Sequence, residues 1–301
     1  QFSLNAFGKY ITMSNSVGKT TEKLGYGMAL SYYIIPDLQL RTSYEMTNRV
    51  PEANEVYGDL ENQVGNSSLK AENSDNVNLG VVYGFKLNDI NRFSITANAI
   101  YRYSADFIYT RLVGGTSANQ YLITADNREG VRTTGVDGEI RYSYKNWLSA
   151  GATVTYQMLK NLQKHDPIPG QPGMFYDAES DVYLDRMPNI PYFFGNADVS
   201  ASFSNVGKKG NNLTVGYNML FVNSFWLRWP SLGSATAETK YVVPTQLSHD
   251  LNFVYSMNNG RYNVSFEARN IFDKAVFDNY SLQKPGRAFY LNLRYFFKQS
   301  Q

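Results

Sequence analysis

The sequence predicts an all-β protein, an antiparallel transmembrane β-barrel of about twelve strands, on three observations. Apolar residues recur at every second position in one stretch after another, the period of a strand with one greasy and one wet face. Between these stretches a short polar turn alternates with a longer irregular loop all along the 301 residues. The composition, with 24 Tyr and 18 Phe against 10 Pro, suits strands at a boundary between oil and water.

Taken in order, Leu24, Tyr26, Met28, Leu30, Tyr32 and Ile34 share a face opposite Gly25, Gly27, Ala29 and Ser31. Val77, Leu79, Val81, Tyr83 and Phe85 oppose Asn76, Asn78 and Gly80, and Ala97, Ala99, Tyr101 and Tyr103 oppose Thr96, Asn98 and Arg102. Leu148 to Met158 and Leu213 to Phe221 repeat the pattern. So does the last strand, where Phe289, Leu291, Leu293, Tyr295 and Phe297 oppose Ala288, Tyr290, Asn292 and Arg294. The polar phase also carries Arg41, Glu45, Glu139, Arg141, Asp198 and Glu267. A wide wet lumen accepts such charges, with the greasy phase turned to lipid and Tyr near the strand ends forming interfacial girdles.

Short turns fall at 36–37, 88–89, 145–146, 206–210 and 259–260, and long connections at 14–23, 49–71, 112–120, 164–188, 228–241 and 275–285. All tight turns then lie at one end and all long loops at the other, a sorting that Greek-key sandwiches do not give. Placing Asn259-Gly260 at the centre of a type I′ turn fixes one hairpin. Tyr255 then faces Val264, Phe253 faces Phe266 and Leu251 faces Ala268, while on the polar side Asn252 meets Glu267 and Asp250 meets Arg269 as an opposite-charge pair in the lumen.

Charge excludes nucleic acid as a partner, because 28 Lys+Arg against 26 Asp+Glu leave +2 with no basic block. With no Cys there is neither a disulfide framework nor a thiolate metal site. No apolar run reaches the length of a helical span, and a mean hydropathy of −0.39 leaves a barrel open, since barrel strands average out as polar. The chain opens Gln1-Phe2-Ser3 without Met or a leader-like segment, so a mature protein or a fragment is expected. Catalysis has few members to draw on: two separated histidines, no Gly-x-Ser-x-Gly elbow, no Walker or Rossmann glycines, and a Ser248-His249 pair whose side chains point to opposite faces. No catalytic residue and no cofactor are assigned. Asp177, Glu179 and Asp181 supply oxygen donors of the kind Ca²⁺ takes. Without a Gly-hinged EF-type spacing, the plain reading is a solvated acidic loop.

Two segments carry a resemblance. Arg49-Val50-Pro51-Glu52-Ala53-Asn54-Glu55-Val56-Tyr57-Gly58-Asp59, followed by Asn66-Ser67-Ser68-Leu69-Lys70-Ala71-Glu72, resembles the Arg-x-Pro and Asn-Pro-x-Leu-Lys-Pro-Glu segments of TonB-dependent outer-membrane receptors. Asn270-Ile271-Phe272-Asp273-Lys274, Pro285-Gly286-Arg287 and the aromatic last strand resemble the end of the same family. The sequence departs from the pattern at Ser67 and Ala71, where the family often has Pro. No His lies between Pro51 and Leu69 as in the haem-transporting branch, which leaves only His165 and His249, and Lys298 to Gln301 follow the terminal aromatic.

The resemblance implies a barrel of about 22 strands plugged by an N-terminal domain, with residues 1–301 as its C-terminal portion and the plug and N-terminal strands outside them. It implies import of a scarce nutrient, a ferric siderophore foremost, across the bacterial outer membrane. Outer-membrane lipid, the TonB complex acting through the plug, a small metal chelate and optionally a surface lipoprotein would be its partners. Ligand capture would use the long loops, where Tyr57, Asp59, Tyr176, Trp226, Arg228, Trp229 and Tyr280 offer aromatic faces and charge to a flat anionic chelate. The plainer reading of Trp226 and Trp229 is anchorage at the lipid boundary. The rivals are a self-contained barrel acting as a passive channel or protein-translocating pore, and an adhesive surface barrel. A last strand paired with Phe2 to Tyr10 would favour the self-contained barrel.

Overall fold

A computed structural model describes the chain except for residues 15–19, 60–61, 89, 115–120, 169–173, 228, 230–241, 279–281 and 298–301 and the side chains of 112–114 and 121. Twelve long strands form one continuous antiparallel sheet: β1 (Phe2–Ser14), β2 (Thr20–Ile35), β3 (Leu38–Arg49), β5 (Glu72–Leu87), β6 (Asn91–Gly114), β7 (Tyr121–Tyr144), β8 (Leu148–Asn161), β9 (Phe193–Ser204), β10 (Asn212–Val222), β13 (Gln246–Met257), β14 (Tyr262–Arg269) and β15 (Ala288–Tyr295). Each pairs with its neighbour in sequence order. The short β4 (Gln63–Val64) adds in parallel to β7, and β11 (Phe225–Trp226) pairs β12 (Val242–Val243).

The greasy phase lies on the surface. Leu24, Met28, Leu79 and Leu291 are 61, 53, 59 and 67% exposed, which no water-soluble sandwich would allow for the face that should be its core. The polar phase curls instead. Ser3, Ser31, Arg41, Asn78, Asn98 and Asp137, from six strands between β1 and β7, line one concavity.

The hairpin at 258–261 has the expected register, with Leu251 opposite Ala268, Phe253 opposite Phe266 and Tyr255 opposite Val264. Asn259 and Gly260 take the left-handed conformations, φ 53° and 88°, that a tight hairpin turn demands. The expected Asp250–Arg269 ion pair does not form. Arg269 turns along its own strand to Glu267 at 2.6 Å, and Asp250 accepts the Asn270 N–H at 2.7 Å. A carboxylate two residues away on the same face is reached with less side-chain ordering than one across the ladder.

Two connections are shorter than expected. Only 15–19 separate β1 from β2, and only 115–120 separate β6 from β7, because both hairpins go on pairing up to Ser14–Thr20 and Gly114–Tyr121. The strands β6 and β7, 24 residues each, thus stand taller than their neighbours at the long-loop end. A five-residue helix, α1 (Ala53–Tyr57), lies inside the 50–71 connection. Among the described residues β1 pairs only β2 and β15 only β14, so the pairing of the last strand with Phe2 to Tyr10 is not made.

Candidate functional site

The long-loop end is built against the tall β6–β7 hairpin. On one side the 50–71 connection docks through β4, which pairs Ile123 and Thr124, and through Asn66, whose side chain donates to the Ala125 carbonyl at 3.0 Å. Asn127 brackets Lys70, accepting its N–H at 2.8 Å and donating to its carbonyl at 3.1 Å. Glu72 accepts the Ile108 N–H at 3.2 Å and Ser74 Oγ–H at 2.9 Å. Glu55, buried in α1, pairs Arg49 at 2.5 Å and takes the Glu52 N–H at 2.8 Å. The residues that carried the resemblance are therefore the ones that fasten this loop.

On the other side the 162–192 connection and Trp229 close over the same hairpin. Tyr109, Val131, Leu159, Val182, Met187 and Trp229 form one buried cluster. Arg128, 5% exposed, lies 4.7 Å from the Trp229 ring centre and 5.5 Å from that of Tyr109, with Asp166 accepting from its guanidinium at 3.0 Å. The Ser180 hydroxyl holds Asp166 at 2.6 Å, and Trp229 donates its indole N–H to the Arg186 carbonyl at 2.8 Å. Burial pushes the Tyr109 phenol above its ordinary range, with Arg128 opposing, and burial likewise raises Tyr192. A smaller cluster of Tyr192, Phe225 and Val243 supports Trp226 and Phe277.

The expected ligand groups separate accordingly. Trp229, 6% exposed, belongs to the loop core, so it neither faces a ligand nor anchors at a lipid boundary. Trp226 is half-buried against the second cluster. The Asp59 carboxylate accepts the Asn62 and Gln63 N–H groups at 2.8 and 2.7 Å and so shapes its own turn. Tyr57 and Tyr176 stand outward, 52 and 50% exposed, with Met174 and Phe175 beside the latter. Arg228 and Tyr280 lie outside the described residues. Asp177, Glu179 and Asp181 do not converge: no metal-holding group of three occurs among the described residues, and Glu179 faces Lys164 at 3.9 Å. His165 meets the Ala178 carbonyl, while His249 sits on the outward phase with its Nδ1 2.6 Å from the Tyr217 hydroxyl. The sequence missed Arg128, Tyr109 and Met187 as organisers, since no local period marks them.

The closing motifs interlock as well. The Asp273 carboxylate accepts the Arg287 N–H at 2.8 Å, and a Cβ at Gly286 would stand 2.6 Å from the same oxygen. A side chain at position 286 would push that carboxylate off the Arg287 N–H.

The sequence matches the family model described as TonB dependent receptor-like, beta-barrel over residues 2–271. The chain belongs to the TonB-dependent receptor β-barrel family. A comparison with curated proteins by sequence finds no match. Among solved structures, the siderophore receptor PiuA from Acinetobacter baumannii is similar at a TM-score of 0.67 and 14% identity, over 98% of this chain and 40% of that one. An FrpB iron transporter from Neisseria meningitidis gives 0.66 and 15%, over 98% and 43%. Copper transporter OprC gives 0.64 and 15%, over 91% and 40%. At these identities the likeness establishes the fold alone, and the chain spans about two fifths of the length of the structures it matches. Family and neighbours are receptors and transporters, not enzymes.

Proposed function

We propose that this TonB-dependent receptor chain is the C-terminal part of an outer-membrane barrel that imports a ferric siderophore. Its greasy face contacts lipid, its polar face lines a plugged lumen, and its long loops face outward to capture the ligand. The observation that carries the reading is the pairing of an exposed apolar face with a polar concavity on one sheet, in a chain of this family. The iron and siderophore names of its structural neighbours support the cargo. Outward Tyr57 and Tyr176 are the aromatic faces offered to a flat chelate, and Arg228 and Tyr280 are proposed to join them. In this reading energy comes from TonB through a plug that precedes residue 1. The unpaired edges of β1 and β15 argue against a self-contained twelve-stranded channel.

Deletion of the full-length gene, followed by growth on single ferric siderophores under iron limitation, tests this. Loss of growth on one siderophore, restored by the intact gene and not by a copy without its plug, is the expected result. Unchanged growth on every siderophore, with uptake of some other nutrient lost, would overturn the cargo.

A further inference from the structure

At the long-loop end five cations pair with acids, Arg49 with Glu55, Lys70 with Asp106, Arg111 with Asp126, Arg128 with Asp166 and Lys164 with Glu179, while Arg186, Lys274, Lys284 and Arg287 do not among the described residues. At the tight-turn end Lys145, Lys208, Lys209 and Arg261 occupy three turns, and none has a carboxylate partner among the described residues.

These cations sit on an outward aromatic belt. Phe85 stacks on Phe93 and Phe93 packs on Tyr142, each at 4.9 Å between ring centres, while Trp147 bridges Tyr144 and Phe203 at 5.8 Å to each. Lys145 Nζ lies 5.4 Å from the Tyr144 ring centre, and Arg261 lies 5.4 Å from that of Tyr295 while donating to its hydroxyl at 2.8 Å. The Tyr255 hydroxyl donates to the Val206 carbonyl, which fastens the Lys208-Lys209 turn to the belt.

Aromatic rings of this kind settle at the headgroup level of a bilayer. Cations held at that depth without a carboxylate partner among the described residues face a layer in which the anions are lipid phosphates.

We propose that the tight-turn rim is a docking surface for anionic phosphoglyceride headgroups, bound by Lys145, Lys208, Lys209 and Arg261 above the Trp147 belt. The proposal rests on the membrane-barrel reading. Zwitterionic headgroups carry a compensating ammonium that these cations repel, so the rim selects for net negative charge.

The test uses the full-length receptor reconstituted in bilayers that contain brominated phosphatidylglycerol or brominated phosphatidylcholine at equal mole fraction. The Trp147 contribution to fluorescence quenching is isolated by difference from Trp147→Phe. Brominated phosphatidylglycerol is expected to quench Trp147 as if enriched by about fivefold or more, the factor that corresponds to roughly 1 kcal/mol for a single interfacial cation. The preference should disappear in Lys145→Gln/Lys208→Gln/Lys209→Gln/Arg261→Gln, persist with Lys→Arg at the three lysines, and fall in the unaltered protein as salt is raised. The salt series serves where the quadruple variant does not fold. Equal quenching by both lipids would overturn the headgroup proposal while leaving the barrel intact. No quenching of Trp147 by either lipid would overturn the membrane reading itself.

Discussion

The two ends of this sheet are built by opposite means. At the tight-turn end the strands are joined by turns such as 36–37 and 258–261, the aromatic rings face outward, and Lys145, Lys208, Lys209 and Arg261 have no carboxylate partner among the described residues. At the long-loop end three connections close over one tall hairpin, with a buried cluster that includes Val131 and Met187 at 0% exposure. This protein therefore keeps its apolar packing beneath its loops, where a soluble protein would place it between sheets. Its widest apolar surface is left for lipid.

The largest effect should come from removing the organiser of the loop core. Arg128→Met leaves the Asp166 carboxylate without its partner and Trp229 without its cation, and breaking a buried pair costs about 3–5 kcal/mol. Hydrogen exchange should accelerate across 162–187 while the strands near the tight turns stay protected. Equal acceleration at both ends would mean the ends are coupled and the contrast is false.

A somewhat smaller penalty should separate the two faces. Leu79→Arg on the outward face should cost about 2–4 kcal/mol in lipid, seen as a lowered denaturant midpoint for the reconstituted barrel. Asn78→Arg, one residue away on the polar face, should cost much less. Similar penalties for both would break the assignment of faces.

Asp59→Ala removes the acceptor of two backbone N–H groups and should loosen the turn between α1 and β4 by about 1 kcal/mol. Limited proteolysis within 58–65 would register it, with no change at the tight-turn end.

The smallest effect is confined to alkaline pH. Burial raises Tyr109 and Tyr192 in the folded state, so below the ordinary tyrosine value of about 10 folded and opened states both keep the proton and stability is unaffected. Above it the opened state loses its proton first, and the stability of the loop core falls as pH rises through the folded values. Phenolate absorbance followed against pH should show a late-titrating fraction, and Tyr109→Phe should reduce it by one tyrosine.

Much of the barrel wall was legible in the residues. The alternation of Leu24 to Ile34 and Phe289 to Phe297 assigned the outward face, and Asn259-Gly260 fixed a hairpin register that the structure reproduces pair for pair from Leu251 to Tyr255. The loop end was legible only in part. Tyr57 and Tyr176 are exposed, Trp229 is core and Asp59 holds its own turn. Asp250 and Arg269 sit at the hairpin's end and choose other partners.

The division has a physical cause. Strand phase, turn type and the sorting of short turns from long loops depend on neighbours a few residues apart, so the sequence by itself determines them. The height of the β6–β7 hairpin, the burial of Trp229 and the role of Arg128 depend on contacts such as Asn66 with Ala125, 59 positions apart, and Trp229 with Arg186, 43 apart. No local period encodes such contacts, and only the tertiary structure decides them.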